Sequence, residues 1–138
     1  MNSVVLKPLY NIIRQNVGHT LFVVCILFGS AGIADPVFKW NVKGVQVCAD
    51  SGNPESLNIA EDGTGGVFIV WIDGRNKTVT GSDVYCQRLD STGNPLWQKD
   101  GIPVCMEPGD QKNAKVVFNG IGGAVIVWED ARSGREAW

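Results

Sequence analysis

The sequence predicts an all-β fold built from repeated four-stranded antiparallel units. Three observations support this class. The sequence that begins at Ala49 is repeated 57 residues later, with many identical residues. Asp-Gly and Gly-Gly pairs, which suit tight turns, divide the rest of the chain into short segments. The one unbroken long apolar run, "LFVVCILF" from Leu21 to Phe28, lies near the N-terminus and outside the repeated part.

The first 34 residues have the layout of a secretory signal peptide. They contain Lys7 and Arg14 but no acidic residue, then the eight-residue apolar run, then the small residues Gly32 and Ala34. The run is well short of the roughly 20 residues that a membrane-spanning helix needs. We therefore predict a signal helix within residues 1–34, cleavage after Ala34, and a secreted or cell-surface protein; an uncleaved anchor is the alternative.

The composition of residues 35–138 excludes several classes of function. This part has 10 Lys and Arg against 14 Asp and Glu, a net charge of −4, which does not suit a nucleic-acid partner. The single histidine, His19, lies in the predicted signal peptide. Without a histidine the predicted mature chain has no Ser-His-Asp or Cys-His nucleophile. We expect no cofactor and no nucleic-acid partner.

The repeat holds one spacing at many positions. The pairs separated by 57 residues include Trp40 and Trp97, Gly44 and Gly101, Cys48 and Cys105, Gly52 and Gly109, Gly65-Gly66 and Gly122-Gly123, Trp71 and Trp128, Asp73 and Asp130, and Arg75 and Arg132. After Arg75 the first copy has four extra residues, so Tyr85 corresponds to Trp138. Such self-similarity is typical of repeat architectures.

Each unit contains four predicted strands. In the first copy they are Leu57–Glu61, Val67–Ile72, Asp83–Asp90, and a fourth that runs from Pro95–Trp97 to Ile102–Val104 with a break near Gly101. The second strand, "VFIVWI", is apolar at consecutive positions, which predicts burial on both faces.

A unit whose second strand is buried on both faces needs a similar unit on each side. Stacked four-stranded sheets of this kind form a β-propeller, and a β-sandwich is the alternative. We expect residues 35–48 to form a lone outer strand, residues 55–105 a complete blade, and residues 112–138 an incomplete blade. About two blades fall short of the four to eight of a whole propeller, so we expect a fragment whose remaining blades are absent from this chain. The competing interpretation is that several copies assemble one propeller.

The repeat resembles those of secreted bacterial β-propeller proteins. The resemblance rests on "DGxGGxxxxWxDxR" from Asp62, "DxYxQRLDxxGNxLW" from Asp83, and "GxPVC" from Gly101, with Asn119 in the aspartate position of the second copy. "LDSTGNPLW" is also similar to the Asp-box of sialidase-like propellers and to the tryptophan-docking motif of quinoprotein dehydrogenases. The resemblance implies a structural role for Asp90, Gly93 and Trp97, whose turn and aromatic side chain hold the hairpin together.

Two repeated triplets are the strongest candidate site. Trp71, Asp73 and Arg75 alternate along one face of a strand, and Trp128, Asp130 and Arg132 repeat them. A carboxylate and a guanidinium in this arrangement can grip a sugar or a carboxylate ligand. A ligand site is usually unique, however, so the repetition favours a structural ion pair and a packing tryptophan.

Three cysteines remain in the predicted mature chain. Export permits disulfides, and a bond between Cys86 and Cys105 within one unit is one alternative. The other is that Cys48, Cys86 and Cys105 are buried thiols in a sheet interface.

We therefore expect an exported β-propeller segment without catalytic activity of its own that serves extracellular binding or structural display. Its partner would be a protein or a carbohydrate at the cell surface. The alternative is a portion of a propeller enzyme, either a sialidase-like glycoside hydrolase or a quinoprotein dehydrogenase.

Overall fold

The computed structural model describes residues 11–17, 20–26 and 44–132. Every regular element in these residues is a strand, which confirms the all-β class. The strands are β1 (Asn11–Val17), β2 (Thr20–Ile26), β3 (Val45–Cys48), β4 (Glu55–Glu61), β5 (Val67–Asp73), β6 (Asp83–Leu89), β7 (Ile102–Cys105), β8 (Gln111–Phe118) and β9 (Ala124–Asp130). They form three sheets, β1-β2-β3, β4-β5-β6-β7 and β8-β9.

The N-terminal segment differs from the helix expected of a signal peptide. Asn11–Val17 and Thr20–Ile26 pair as an antiparallel hairpin. Several residues of this segment, such as Ile12 and Ile13, Val23 and Val24, are β-branched and favour extended backbone. The proposed cleavage position at Ala34 lies outside the described residues.

The strand expected to stand alone within residues 35–48 is the edge of the first sheet. Cys48 pairs with Leu21 of β2, and a bulge shifts the register directly after Leu21. In the central sheet Cys105 pairs with Val84 of β6, and the register again shifts directly after Val84. The hairpin β1-β2 therefore occupies, relative to β3, the place that β5 and β6 occupy relative to β7.

The central sheet is the four-stranded antiparallel unit expected for residues 55–105. Its strands follow one another in chain order. The fourth strand is interrupted as expected: Pro95 forms an isolated bridge with Leu89, and β7 begins only after Gly101. Gly101 has a φ of 83°, and a Cβ there would lie 2.3 Å from the Trp71 ring. The break therefore makes room for that indole and uses a backbone conformation that glycine tolerates best.

The strand β5 is buried on both faces, as its consecutive apolar residues predict. Ile69 and Trp71 face one cluster, which includes Val47 of β3. Phe68 and Val70 face the other, which includes residues of β8 and β9. The central sheet is thus covered by the first sheet on one side and by the third sheet on the other.

The third sheet contains the two strands expected at the start of the range 112–138. Its burial pattern differs from that of β5, because β9 alternates between covered and exposed residues along its length. Residues 133–138, where a third strand was expected to begin, lie outside the described residues. Only one face of this sheet is packed within the described part of the chain.

Candidate functional site

The first repeated triplet forms a single hydrogen-bonded cluster at the end of β5. The Asp73 side chain is fully buried. Its Oδ2 accepts hydrogen bonds from Trp71 Nε1 at 2.8 Å and from Arg75 Nη2 at 2.6 Å. Its Oδ1 accepts from the backbone N–H and the Nε of Arg75 at 2.9 and 3.0 Å. The predicted alternation therefore brings all three side chains together on one carboxylate.

The preceding sheet contributes a fourth member of this cluster. Arg75 Nη2 lies 3.3 Å from Cys48 Sγ, and the thiol lies 4.0 Å from Asp73 Oδ2. The same Nη2 donates to the backbone oxygen of Asp100 at 3.0 Å. Gly52, four residues after β3, is held so close that a Cβ on it would meet Asp73 Oδ1 at 1.9 Å. The cluster thus joins two neighbouring sheets.

The electrostatics of this site are those of a permanent ion pair. Burial by itself raises the pKa of Asp73, but hydrogen bonds from Arg75 and Trp71 outweigh it and leave the pKa below its usual value. Burial likewise opposes the charge on Arg75, yet its bonds with Asp73 raise the pKa of the guanidinium. The Arg75 guanidinium also lies 4.0 Å from the centre of the Tyr85 ring, a cation–π contact.

The second triplet repeats the arrangement at the end of β9. Trp128 Nε1 donates to Asp130 Oδ2 at 3.2 Å, and Arg132 Nε donates to the same oxygen at 3.0 Å. Arg132 Nη2 lies 3.8 Å from Cys105 Sγ, so the fourth strand of one unit again supplies the thiol. The side chain of Arg132 is 50% exposed, against 16% for Arg75. We call the two groups the β5 junction (Cys48, Trp71, Asp73, Arg75) and the β9 junction (Cys105, Trp128, Asp130, Arg132).

The hydrogen-bonding groups of the β5 junction are already paired within the chain, which limits the chemistry that they can perform. Both oxygens of Asp73 already accept two nitrogen donors each. A general base needs a free lone pair directed at the proton that it removes. The guanidinium of Arg75 is likewise committed to groups of its own chain. The geometry therefore favours the structural interpretation of the first triplet over the ligand-gripping one.

The residues of the Asp-box resemblance form a compact turn. Asp90 Oδ1 accepts from the backbone N–H groups of Thr92 and Asn94 at 2.8 and 2.9 Å. These bonds, the first of them from Asn94, lower the pKa of Asp90. Gly93 adopts a φ of 88°. Trp97 packs against Phe68 with ring centroids 5.9 Å apart, so it belongs to the core cluster beside the turn.

The same turn occurs twice more, at the hairpins β4-β5 and β8-β9. Asp62 Oδ1 accepts from the N–H groups two and four residues later at 2.8 and 2.9 Å. Asn119 Oδ1 does the same at 3.0 and 2.9 Å. An asparagine can replace the aspartate because the turn requires only one side-chain acceptor oxygen.

One buried ion pair was not anticipated from the sequence. Asp62 Oδ2 accepts from Arg88 Nε at 2.9 Å and lies 2.8 Å from Arg88 Nη2, and Asp62 is fully buried. Burial raises the pKa of Asp62, but its hydrogen bonds from Thr64 and Arg88 leave it lowered overall. One sequence feature could have indicated this ion pair: Asp62 is an acid at the position where the second copy has the neutral Asn119.

The three cysteines of residues 44–132 are free, buried thiols. The Cys86–Cys105 disulfide is not formed, and the register gives the reason, because Cys105 lies opposite Val84 while Cys86 lies opposite Ile102. Burial raises the pKa of Cys48, and it raises the pKa of Cys86 to about 12. The second alternative, small thiols that fill a sheet interface, describes their positions.

The part of the chain that the structure describes has no cluster of three or more His, Cys, Asp or Glu side chains placed to hold a metal ion. None of its elements is a helix long and apolar enough to cross a membrane. Comparison of the chain with protein-family models, with curated proteins and with solved structures finds no match.

Proposed function

We propose that this chain is an exported β-propeller repeat segment that serves extracellular binding or structural display and has no catalytic activity of its own. The observation that carries the proposal is the use of the repeated polar residues. Trp71, Asp73 and Arg75 bond to one another and to the preceding sheet, and their copies at β9 do likewise. The repeated Trp-x-Asp-x-Arg motif therefore joins neighbouring sheets.

The sheet arrangement supports a stack of blades. The central sheet is a four-stranded antiparallel meander with a packed layer on each face. A β-propeller packs successive meanders of this kind face to face around an axis. The repeat gives each layer the same junction, as an architecture of nearest-neighbour units requires.

A role in binding or display is proposed because an exported protein of this kind would act outside the cytoplasm. The predicted signal peptide directs the chain out of the cytoplasm, and a protein or carbohydrate at the cell surface is the partner class that we propose. The two copies differ in sequence after the repeated arginine. The first copy has a longer connection after Arg75, in which Val79 is 80% exposed. Differences of this kind give one unit a surface that its neighbour lacks.

Export is the part of the proposal that can be tested first. The full chain would be produced in a bacterium with its own N-terminus, and a second version would carry Val23→Lys and Val24→Lys in the apolar run. We expect the unchanged chain outside the cytoplasm and the variant inside, because charges in the apolar run block recognition of a signal peptide. N-terminal sequencing of the exported chain then shows whether it begins after Ala34. Equal retention of both versions in the cytoplasm would refute the export proposal.

A further inference from the structure

The outer face of the β8-β9 sheet is apolar and uncovered. Val117, Val125 and Val127 are 57%, 50% and 59% exposed. Val117 and Val125 are cross-strand partners, so the three side chains form one patch. Lys115 pairs with Val127, and Glu129 lies two residues further along the same face, so the patch has a rim with charges of both signs.

The repeat identifies what covers this face one unit earlier. Counting back 57 residues from the three valines gives Ala60, Phe68 and Val70 of the central sheet. Phe68 and Val70 are 1% and 0% exposed, and all three belong to the cluster that packs against the third sheet.

The inner face of β8 is part of the surface that covers these residues of the central sheet. Ala114 and Val116 are buried in the shared cluster. The backbone N–H of Val116 donates to Asn58 Oδ1 of the central sheet at 2.9 Å. The equivalent face of the central sheet is therefore covered by another sheet of the same repeat, and not by a ligand or a lipid.

We propose that a second copy of this chain covers the Val117–Val125–Val127 face. The contact is head to tail: the β8-β9 sheet of one copy packs against the opposite end of the three-sheet stack of the other. It thus continues the packing order by which β8-β9 covers the central sheet. Burial of the three valines removes apolar surface from water, and the mixed charges at the rim allow two identical chains to approach without net repulsion. The inference rests on the packing of the three sheets in the full 138-residue chain and is tested on that chain, so its failure is distinct from a failure of the export proposal.

The test is sedimentation velocity of the full 138-residue chain over a range of concentrations. We expect reversible self-association of the unchanged protein. Replacing Val125 and Val127 by glutamate should weaken it by at least about a hundredfold in Kd, since two buried charges oppose the contact. Val79→Glu is the matched control, because Val79 is an exposed valine on a loop outside this face, and this variant should associate like the unchanged chain.

Retained far-ultraviolet circular dichroism and tryptophan fluorescence in the glutamate variant would show that it still folds. An unchanged protein that stays monomeric at all concentrations would overturn the proposal, whatever else binds the face. Equal association of the glutamate variant and the Val79→Glu control would overturn it too.

Discussion

The β5 junction makes a sharp prediction about the substitution Asp73→Asn. An amide in place of the carboxylate turns one acceptor oxygen into an NH2 donor that faces N–H groups of Trp71 or Arg75. It also removes the nearer counter-ion of a largely buried guanidinium, which among the described residues keeps only Asp50 Oδ2 at 3.8 Å from its Nη1. Breaking one partner of a buried ion pair costs about 3–5 kcal/mol. Because Arg75 is 16% exposed and can regain some hydration, we expect a loss near the lower end, about 3 kcal/mol in the free energy of unfolding.

The assay is urea unfolding at pH 7, followed by tryptophan fluorescence at one fixed, low protein concentration. A loss of this size should lower the midpoint by about 1–3 M urea with the m-value unchanged. Asp130→Asn is the matched control, since it alters the same motif at the β9 junction, where Arg132 is half exposed. The control should be clearly less destabilised, because water screens an exposed pair. If Asp73→Asn cost no more than Asp130→Asn, the assignment of Asp73 to a stabilising junction would be wrong.

Two further predictions follow from the described contacts. The pKa values of Asp62 and Asp73 are lowered from their usual 3.8, so their contribution to stability is present above that value and is lost as pH falls from it through the lowered folded-state pKa values; urea midpoints measured from pH 7 to pH 2 should fall below about pH 4, and a flat profile would contradict the ion pairs. Gly101→Ala should cost about 2 kcal/mol or more, because the new methyl meets the Trp71 ring and the residue has a positive φ. Gly120→Ala has a similar φ but open space around it, so a calorimetric melt that shifts equally for both variants would exclude the steric reason.

The strands of the central sheet could be predicted because turn chemistry and apolar pattern agree there. The Asp-Gly turn at Asp62 and the consecutive apolar residues of β5 gave element type and burial correctly, and Gly101 marked the break before β7. The grouping of Trp71, Asp73 and Arg75 followed from strand alternation alone.

The contacts between sheets were less accessible to sequence reasoning. Nothing local to Cys48 indicates that its thiol lies against Arg75, since that contact depends on how two sheets pack. The Asp62–Arg88 pair lies within the central sheet, and it was missed because Asp62 is on the β4-β5 turn whereas Arg88 is on β6, 26 residues later. The N-terminal pattern of charges and small residues suited a signal helix, whereas the β-branched residues of the same segment suit the hairpin that the structure shows.

The β5 junction also bears on the order in which the chain can fold. Its thiol precedes its carboxylate by 25 residues and its guanidinium by 27, and the β9 junction repeats both separations. Each new second strand therefore meets a partner that has already left the ribosome. Contacts of such modest sequence separation carry a small loop-closure cost and favour rapid folding. A chain of these units can thus grow from the N-terminus, each sheet docking on a template that the one before it has completed.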